Sequence, residues 1–391
     1  MEANLPSKLR AKRRRSYTPR GQQPTLSSTV PSEPNTTAAY CIRLRADGAL
    51  QVLDLNSLDS RYNAAMRRIL LVKTSSLGDV VHNLPVATDL RAQFADVEID
   101  WAVEETFADI PALHPAISQI IRVAPRRWRR TIASSATWRE VSTLRATLHA
   151  RNYDTVIDTQ GLIKSALIAR LAPGRRFGLD WVSAREPLWP FYDRTLRVSW
   201  ALHAVERNRQ LAAFALGYGL GSAVDYGIQP PRPTPPAIES QPGTYAVLLH
   251  ATSARAKLWG ESDWVKLGLH LIRNGLRPVL PWGNEAERLR SERIAAELGQ
   301  ATVPARTSLH QTAALLGGAR VVFGVDTGLT HLSVALNTPT IGIYRATDPA
   351  ATGLYGSARA VSVGSRSRPP EVAAVIAAWH RLQHAEGAVQ S

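Results

Sequence analysis

Residues 69–79 read Ile-Leu-Leu-Val-Lys-Thr-Ser-Ser-Leu-Gly-Asp, and the stretch runs on through Val80-Val81-His82-Asn83-Leu84-Pro85. Four consecutive apolar residues, Ile69 to Val72, have the length and character of a strand buried on both faces, as in parallel sheets. Small polar residues then end the run. Gly78 supplies a turn, and Asp79 brings a carboxylate to the mouth of an amphipathic stretch that ends near Phe94. Strand, glycine turn and helix make the first half of a βαβ unit, whose ligands bind at the carboxyl ends of the strands.

Outward from this stretch the pattern repeats. Strand-like runs at Ile69–Lys73, Glu98–Val103, Asp154–Asp158, Tyr245–Leu249, Arg277–Leu280, Val321–Val325 and Thr340–Tyr344 alternate with helical patterns such as Ser262–Asn274, Glu285–Leu298 and Leu309–Leu316. That alternation predicts parallel sheets flanked by helices. It breaks once, at Gln229-Pro230-Pro231-Arg232-Pro233-Thr234-Pro235-Pro236. Such a run forms neither a helix nor a central strand and reads as a stiff connector. The expectation is therefore an α/β protein of two Rossmann-like, doubly wound domains, 66–228 and 244–370. A linker at 229–243 joins them, a helix and tail follow at 371–391, and a site lies in the cleft between the domains.

Residues 1–65 read differently. Lys8, Arg10, Lys12 and Arg13-Arg14-Arg15 precede a Ser/Thr/Pro-rich stretch from Pro19 to Ala38, and no helical or strand period persists. The expectation is a disordered basic extension, and a chain starting at Met66 would lose no core element.

The 391 residues are 45% hydrophobic and 20% charged, as in ordinary globular proteins. No apolar run approaches the length of a spanning helix, and no apolar stretch of signal-peptide type follows Arg13–Arg15. Cys41 is the only cysteine, which excludes an internal disulfide or a cysteine metal site and fits a reducing, cytoplasmic setting. The net charge of +15 attracts polyanions. Between Arg122 and Arg151 eight arginines face one acid, Glu140. A charge run is ordinarily a solvated face. Here Trp128 sits among Arg126, Arg127, Arg129 and Arg130, a combination suited to a ligand rich in phosphate or carboxylate.

A second turn resembles the first. After Val321–Val325 come Asp326-Thr327-Gly328-Leu329, then an apolar stretch. Gly328 permits close backbone approach, and N–H groups at a helix start attract anions. Alone, either turn is no more than a helix cap; two of them across one cleft argue for a site. In Leu248–Trp259 a strand is followed by Thr252, Ser253 and Lys257, and a lysine so placed reaches phosphate as a point charge. In Pro281–Arg290, Glu287 follows Gly283 and suits either ribose hydroxyls or the helix N-terminus. There is no P-loop, no G-x-G-x-x-G and no D-x-D pair, and His331 has no histidine four residues on. No resident cofactor or tight divalent metal is expected.

The motifs ILLVKTSSLGDVVHNLP, WAVEETFADIPALHP, RRWRR, DTQGLIKSAL, GLDWVSAREPL, HAVERNR, LHATSARAKLW, PWGNEAERLR and VDTGLTHLSVAL occur in that order. From Met66 onward the chain thereby resembles the ADP-heptose family of GT-B glycosyltransferases, the lipopolysaccharide heptosyltransferases. The resemblance implies an inverting transfer of L-glycero-D-manno-heptose from ADP-heptose to the first Kdo of Kdo2-lipid A. It also implies peripheral association with the cytoplasmic face of the inner membrane, with no bound metal. Carried over by position, Asp79 becomes the catalytic base, Lys257 the diphosphate lysine and Asp326 the carboxylate that meets the sugar. Thr252, Ser253, Thr327, Gly328, Leu329 and His331 surround the donor, with Glu287 on its ribose. Ser75, Ser76, Arg126, Arg127, Arg129, Arg130 and Arg185 fall on the acceptor side. Thr307 stands where a larger apolar residue is expected beside adenine.

Two other readings compete. One is a related transferase adding a later core heptose; the KTSSLGD turn and the RRWRR run favour the Kdo acceptor. The other is a nucleic-acid-binding protein, prompted by a pI near 10.5. The sequence has no recognised nucleic-acid motif, so nucleic acid is not expected as a partner.

Overall fold

The computed structural model describes residues 66–232 and 242–390, and the backbone of 40–44 and 50–54. β1 (Tyr40–Leu44) pairs antiparallel with β2 (Leu50–Asp54), Ile42 opposite Val52. This corrects the expectation that no strand forms before Met66. Asp47-Gly48 between two alternating runs is a hairpin signal, hidden by the Ser/Thr/Pro-rich composition just upstream. The rest of 1–65, with its expected disorder and alternative start, and the centre of the Pro-rich linker lie outside the described residues.

The first sheet has the order β5-β4-β3-β6-β7-β8 and is wholly parallel. Its strands are β3 (Arg68–Val72), β4 (Glu98–Glu104), β5 (Ile117–Val123), β6 (Thr155–Asp158), β7 (Arg175–Leu179) and β8 (Arg194–Leu196). Counted from β3, this is the order 3-2-1-4-5-6 of a doubly wound fold, with the switch point between β3 and β6.

The second sheet is also parallel, in the order β10-β9-β11-β12-β13. It comprises β9 (Tyr245–Leu249), β10 (Arg277–Val279), β11 (Val321–Val325), β12 (Thr340–Ile343) and β13 (Ala360–Val363). Thr302 adds a single parallel bridge to Val279, the remnant of a further strand. The switch point lies between β9 and β11.

Alternation along the strands builds both faces of the first sheet. Ile69, Leu71 and Trp101 pack with Leu84, Leu90 and Leu211 on one face. Leu70, Val72, Ala102 and Val156 pack with Leu144, Leu148 and Ile168 on the other. Each Leu, Ile or Val among them contributes about 1.5–3 kcal/mol on burial. The first of these clusters continues through Val80 and Val81 to Leu332 and Val334, so the two sheet domains share apolar packing.

Besides the β1–β2 pair, four strands of the two parallel sheets were not expected: β5, β7, β8 and β13. β5 exposes Ser118, Gln119 and Arg122, β7 opens on Arg175-Arg176, β8 has three residues, and β13 is only half-buried. Strands at or near a sheet edge lack the continuous apolar run that marks a central one.

Candidate active site

The turn after β3 carries Lys73 to Asp79. Ser76 caps the short helix Leu77–Val81, and its backbone N–H and hydroxyl donate to Asp79 Oδ2 at 2.7 and 2.9 Å. This local pair of bonds fixes the half-buried carboxylate at the edge of a cavity of about 260 Å³. Across the switch point, the turn after β6 supplies Gln160. Its side-chain oxygen accepts from the N–H groups of Thr74 and Ser75 at 2.9 and 3.0 Å. The Asp79 turn is thus tied to the neighbouring strand and not only to itself.

The cavity is strongly cationic. Lys73 is buried, and its ammonium donates to the Thr159 carbonyl at 2.8 Å and to Asn208 Oδ1 at 3.1 Å, neither a carboxylate. Burial pulls its pKa down, while the charges of Asp79 and Asp158 oppose that pull. Lys164 donates to Ser75 Oγ at 2.5 Å, and burial also lowers its pKa. Arg207 lies 3.5 Å above the Trp200 ring centroid, with Arg185 at 5.8 Å from the same ring. Burial, then the charge of Arg185, pulls Arg207 down to about 10. Arg126 lines the same cavity, 3.4 Å from buried Glu104. Cations packed this closely favour a dianionic ligand group.

Not every arginine of the RRWRR run reaches this cavity. Arg127 donates to Glu105 and to both oxygens of Glu140, and Trp128 donates to Glu140 as well. Its guanidinium joins β4's end to the Ser135–Arg151 helix and is committed there. Arg129 and Arg130 are exposed, away from the cavity lining. Of the expected acceptor-side residues, the structure gathers Ser75, Ser76, Arg126 and Arg185 around Asp79.

The second half-site lies at the other switch point. Asp326, at the end of β11, is buried. Its Oδ2 is 2.7 Å from Lys257 Nζ and accepts from Thr347 Oγ1 at 2.7 Å; Oδ1 is 3.7 Å from His331 Nε2. Burial alone would raise this carboxyl. Nearby His331, with the close contacts from Lys257 and Thr347, outweighs burial and holds it well below the usual carboxylate range. Thr252, after β9, donates to the Asp326 carbonyl at 3.3 Å, and Ser253 is exposed beside it. Thr327, Gly328 and Leu329 open the Gly328–Ala335 helix and are half-buried. Glu287 accepts from the Gly283 N–H and from Asn284 Nδ2, both at 2.8 Å, capping its own helix. Thr307 bonds Thr312, 2.9 Å away, at a helix start.

The two turns meet through glycine. A Cβ at Gly328 would fall 2.6 Å from Leu77 Cβ and 2.8 Å from the Gly78 nitrogen. A Cβ at Gly78 would lie 3.3 Å from His331 Cδ2. Behind this contact lies a layer of imidazoles. His82 stands 4.4 Å from His331 and 5.4 Å from His203, centroid to centroid, and His203 stacks on Tyr355. Burial, then the neighbouring histidines, keeps His82 well below its ordinary pKa; burial lowers His203 to about 4.

Sequence reasoning missed Lys73, Gln160, Lys164, Arg207, Asn208 and Thr347. Lys73, Gln160, Lys164, Arg207 and Asn208 each lie inside a motif quoted above, and their position at a strand end or helix start was the available signal. Thr347 lies in an irregular loop and gave none. Among the described residues, no group of three or more His, Cys, Asp or Glu has the arrangement of a metal site.

Comparison with known proteins adds to this geometry. Residues 141–376 match the family model of glycosyltransferase family 9 (heptosyltransferase). Lipopolysaccharide heptosyltransferase 1 of Escherichia coli (strain K12) is 45% identical over 292 residues, 74% of this chain and 91% of that protein. The solved E. coli heptosyltransferase WaaC with ADP superposes with a TM-score of 0.73 at 40% identity, over 81% of this chain and 99% of the other. The same enzyme with ADP-2-deoxy-2-fluoro heptose gives 0.71 at 41% identity, over 82% and 99%.

Proposed function

Because the chain belongs to glycosyltransferase family 9, the heptosyltransferases, we propose that it moves L-glycero-D-manno-heptose from ADP-heptose to the first Kdo of Kdo2-lipid A, with inversion at the anomeric carbon. The observation that carries this reading is the opposition of two half-sites across the Gly78–Gly328 contact. On one side Asp79 faces a cationic cavity; on the other, Asp326 and Lys257 stand beside a helix start.

The roles follow from charge. A hydroxyl of the acceptor lies in the cavity against Asp79, which takes its proton as the oxygen attacks the anomeric carbon. The bond from that carbon to the diphosphate oxygen breaks, and its electron pair leaves with ADP. One displacement inverts the centre and needs no enzymic nucleophile. Lys257 and the N–H groups of Thr327 to Leu329 receive the charge growing on the diphosphate. Asp326 favours the cationic character of the sugar in passage, and Glu287 meets the ribose. Lys73, Lys164, Arg126, Arg185 and Arg207 hold the carboxylates of the acceptor. The acceptor is a lipid, so the enzyme works peripherally on the cytoplasmic face of the inner membrane. No helix among the described residues is long and apolar enough to cross a bilayer.

The test is turnover of ADP-heptose with deacylated Kdo2-lipid A, read as ADP release and as the configuration of the new linkage. Inverted product supports the reading. Turnover only with an acceptor already carrying heptose would assign the enzyme to a later step.

A further inference from the structure

The corner between the helices Pro125–Arg130 and Ser135–Arg151 holds two large apolar side chains out in solvent: Ile132 is 61% and Trp138 58% exposed. This corner is well built. Thr131 Oγ1 donates to the Arg127 carbonyl and lies 2.8 Å from Thr137 Oγ1, which bonds the Thr131 carbonyl; Ser134 accepts from the Ala136 N–H. The Trp138 indole N–H donates to the Ile132 carbonyl at 2.8 Å. The ring therefore has its polar atom satisfied within the corner and turns a purely apolar surface outward.

Arg129 and Arg130 come three and two residues before Ile132, and Arg139 follows Trp138; all three are exposed and none is ion-paired among the described residues. The one nearby acid of this stretch, Glu140, is consumed by Arg127 and Trp128. Arg126, one turn before Arg129 and Arg130 on the same helix, lines the Asp79 cavity.

We propose that this corner is a membrane-seating element, with Ile132 and Trp138 entering the interfacial layer of an anionic phospholipid bilayer while Arg129, Arg130 and Arg139 bind its headgroup charge. An exposed, internally satisfied tryptophan beside an aliphatic side chain suits the depth just below the headgroups. Unpaired cations in the adjoining residues match an anionic surface and not a neutral one. The proposal rests on the acceptor being a bilayer lipid. It adds which surface of the enzyme faces that bilayer, and it places the mouth of the acceptor cavity one helical turn from the contact.

The experiment is flotation of the full chain with vesicles free of lipopolysaccharide, either phosphatidylglycerol–phosphatidylethanolamine or phosphatidylcholine alone. Wild type is expected to bind the anionic vesicles, with affinity falling as salt rises, and to bind phosphatidylcholine at least tenfold more weakly. Ile132→Ser with Trp138→Ser should weaken binding to anionic vesicles at least tenfold. Arg129→Gln with Arg130→Gln should cost about fivefold per arginine and flatten the salt dependence. The Ile132/Trp138 double variant should turn over deacylated, water-soluble acceptor as wild type does. Equal binding of that variant and wild type to anionic vesicles would overturn the proposal, as would equal wild-type binding to both vesicle types. So would a vesicle-independent dimer that the double variant loses. Vesicle binding without any heptosyl transfer to the soluble acceptor would leave the seating element standing and remove the acceptor reading.

Discussion

In the turn after β3, Asp79 takes both of its hydrogen bonds from Ser76, three residues back in the same turn. In the turn after β11, Asp326 is held by Lys257 and Thr347, 69 and 21 residues away in the chain, with His331 close by. The two turns share a plan: a buried strand at a switch point, small residues, glycine, and a helix start. Their carboxylates are in opposite circumstances. Asp79 is held by its own loop and looks into a cavity rich in cations; Asp326 is a buried node of its domain. The difference sets a carboxylate that faces a cavity apart from one whose oxygens are taken up by its own domain.

The largest stability effect should come from Asp326. Replacing it by Ala removes the acceptor of a buried bond to a charged group, worth about 1.5–3 kcal/mol. Its carboxyl is held below its unfolded value of about 3.9, so its contribution is complete above that pH and is lost as pH falls through and below it. Thermal melts across pH should show wild type losing its advantage over Asp326→Asn only on the acid side. Asp79→Ala should cost about 1 kcal/mol as a lost cap, and an equal cost at the two sites would break the comparison.

Next comes the contact between the turns. Gly328→Ala must push apart backbone on both sides and should cost about 1–3 kcal/mol. Gly78→Ala meets mainly the edge of the His331 ring and should cost less. Melting both variants side by side tests whether the domains truly approach through Gly328.

The smallest expected effect is electrostatic. Exposed charges are screened over about 8 Å at physiological salt. The KM for the acceptor should therefore rise with salt more steeply than the KM for ADP-heptose, and Arg126→Gln should flatten that dependence. Arg127→Gln should leave it in place, because Arg127 is already neutralised by Glu105 and Glu140.

That contrast between neighbouring arginines marks the limit of what the sequence could tell. Central strands such as Ile69–Val72 and Val321–Val325 are apolar throughout, so they and the turns after them were legible, and with them Asp79, Asp326 and Gly328. RRWRR read as four equivalent cations. Only folding brings Glu105 and Glu140 to Arg127 and leaves Arg126 at the cavity, because those partners lie on other elements. Lys73 was missed for a related reason. As the last residue of a strand run it looked like a boundary, and its burial against Thr159 and Asn208 depends on β6 and on the Ala204–Leu216 helix. Of the strands at or near a sheet edge, β10 was legible, while β5, β7, β8 and β13 escaped because their polar or short runs leave no period to read.

The central claim is that Asp79 is the base. The most direct measurement is single-turnover heptosyl transfer by Asp79→Asn, with ADP affinity measured in parallel. The rate should fall by roughly 10²–10⁴-fold, with ADP binding unchanged and a melting temperature within a few degrees of wild type. A rate close to that of wild type would contradict the account, whatever happened to the other residues of the cavity.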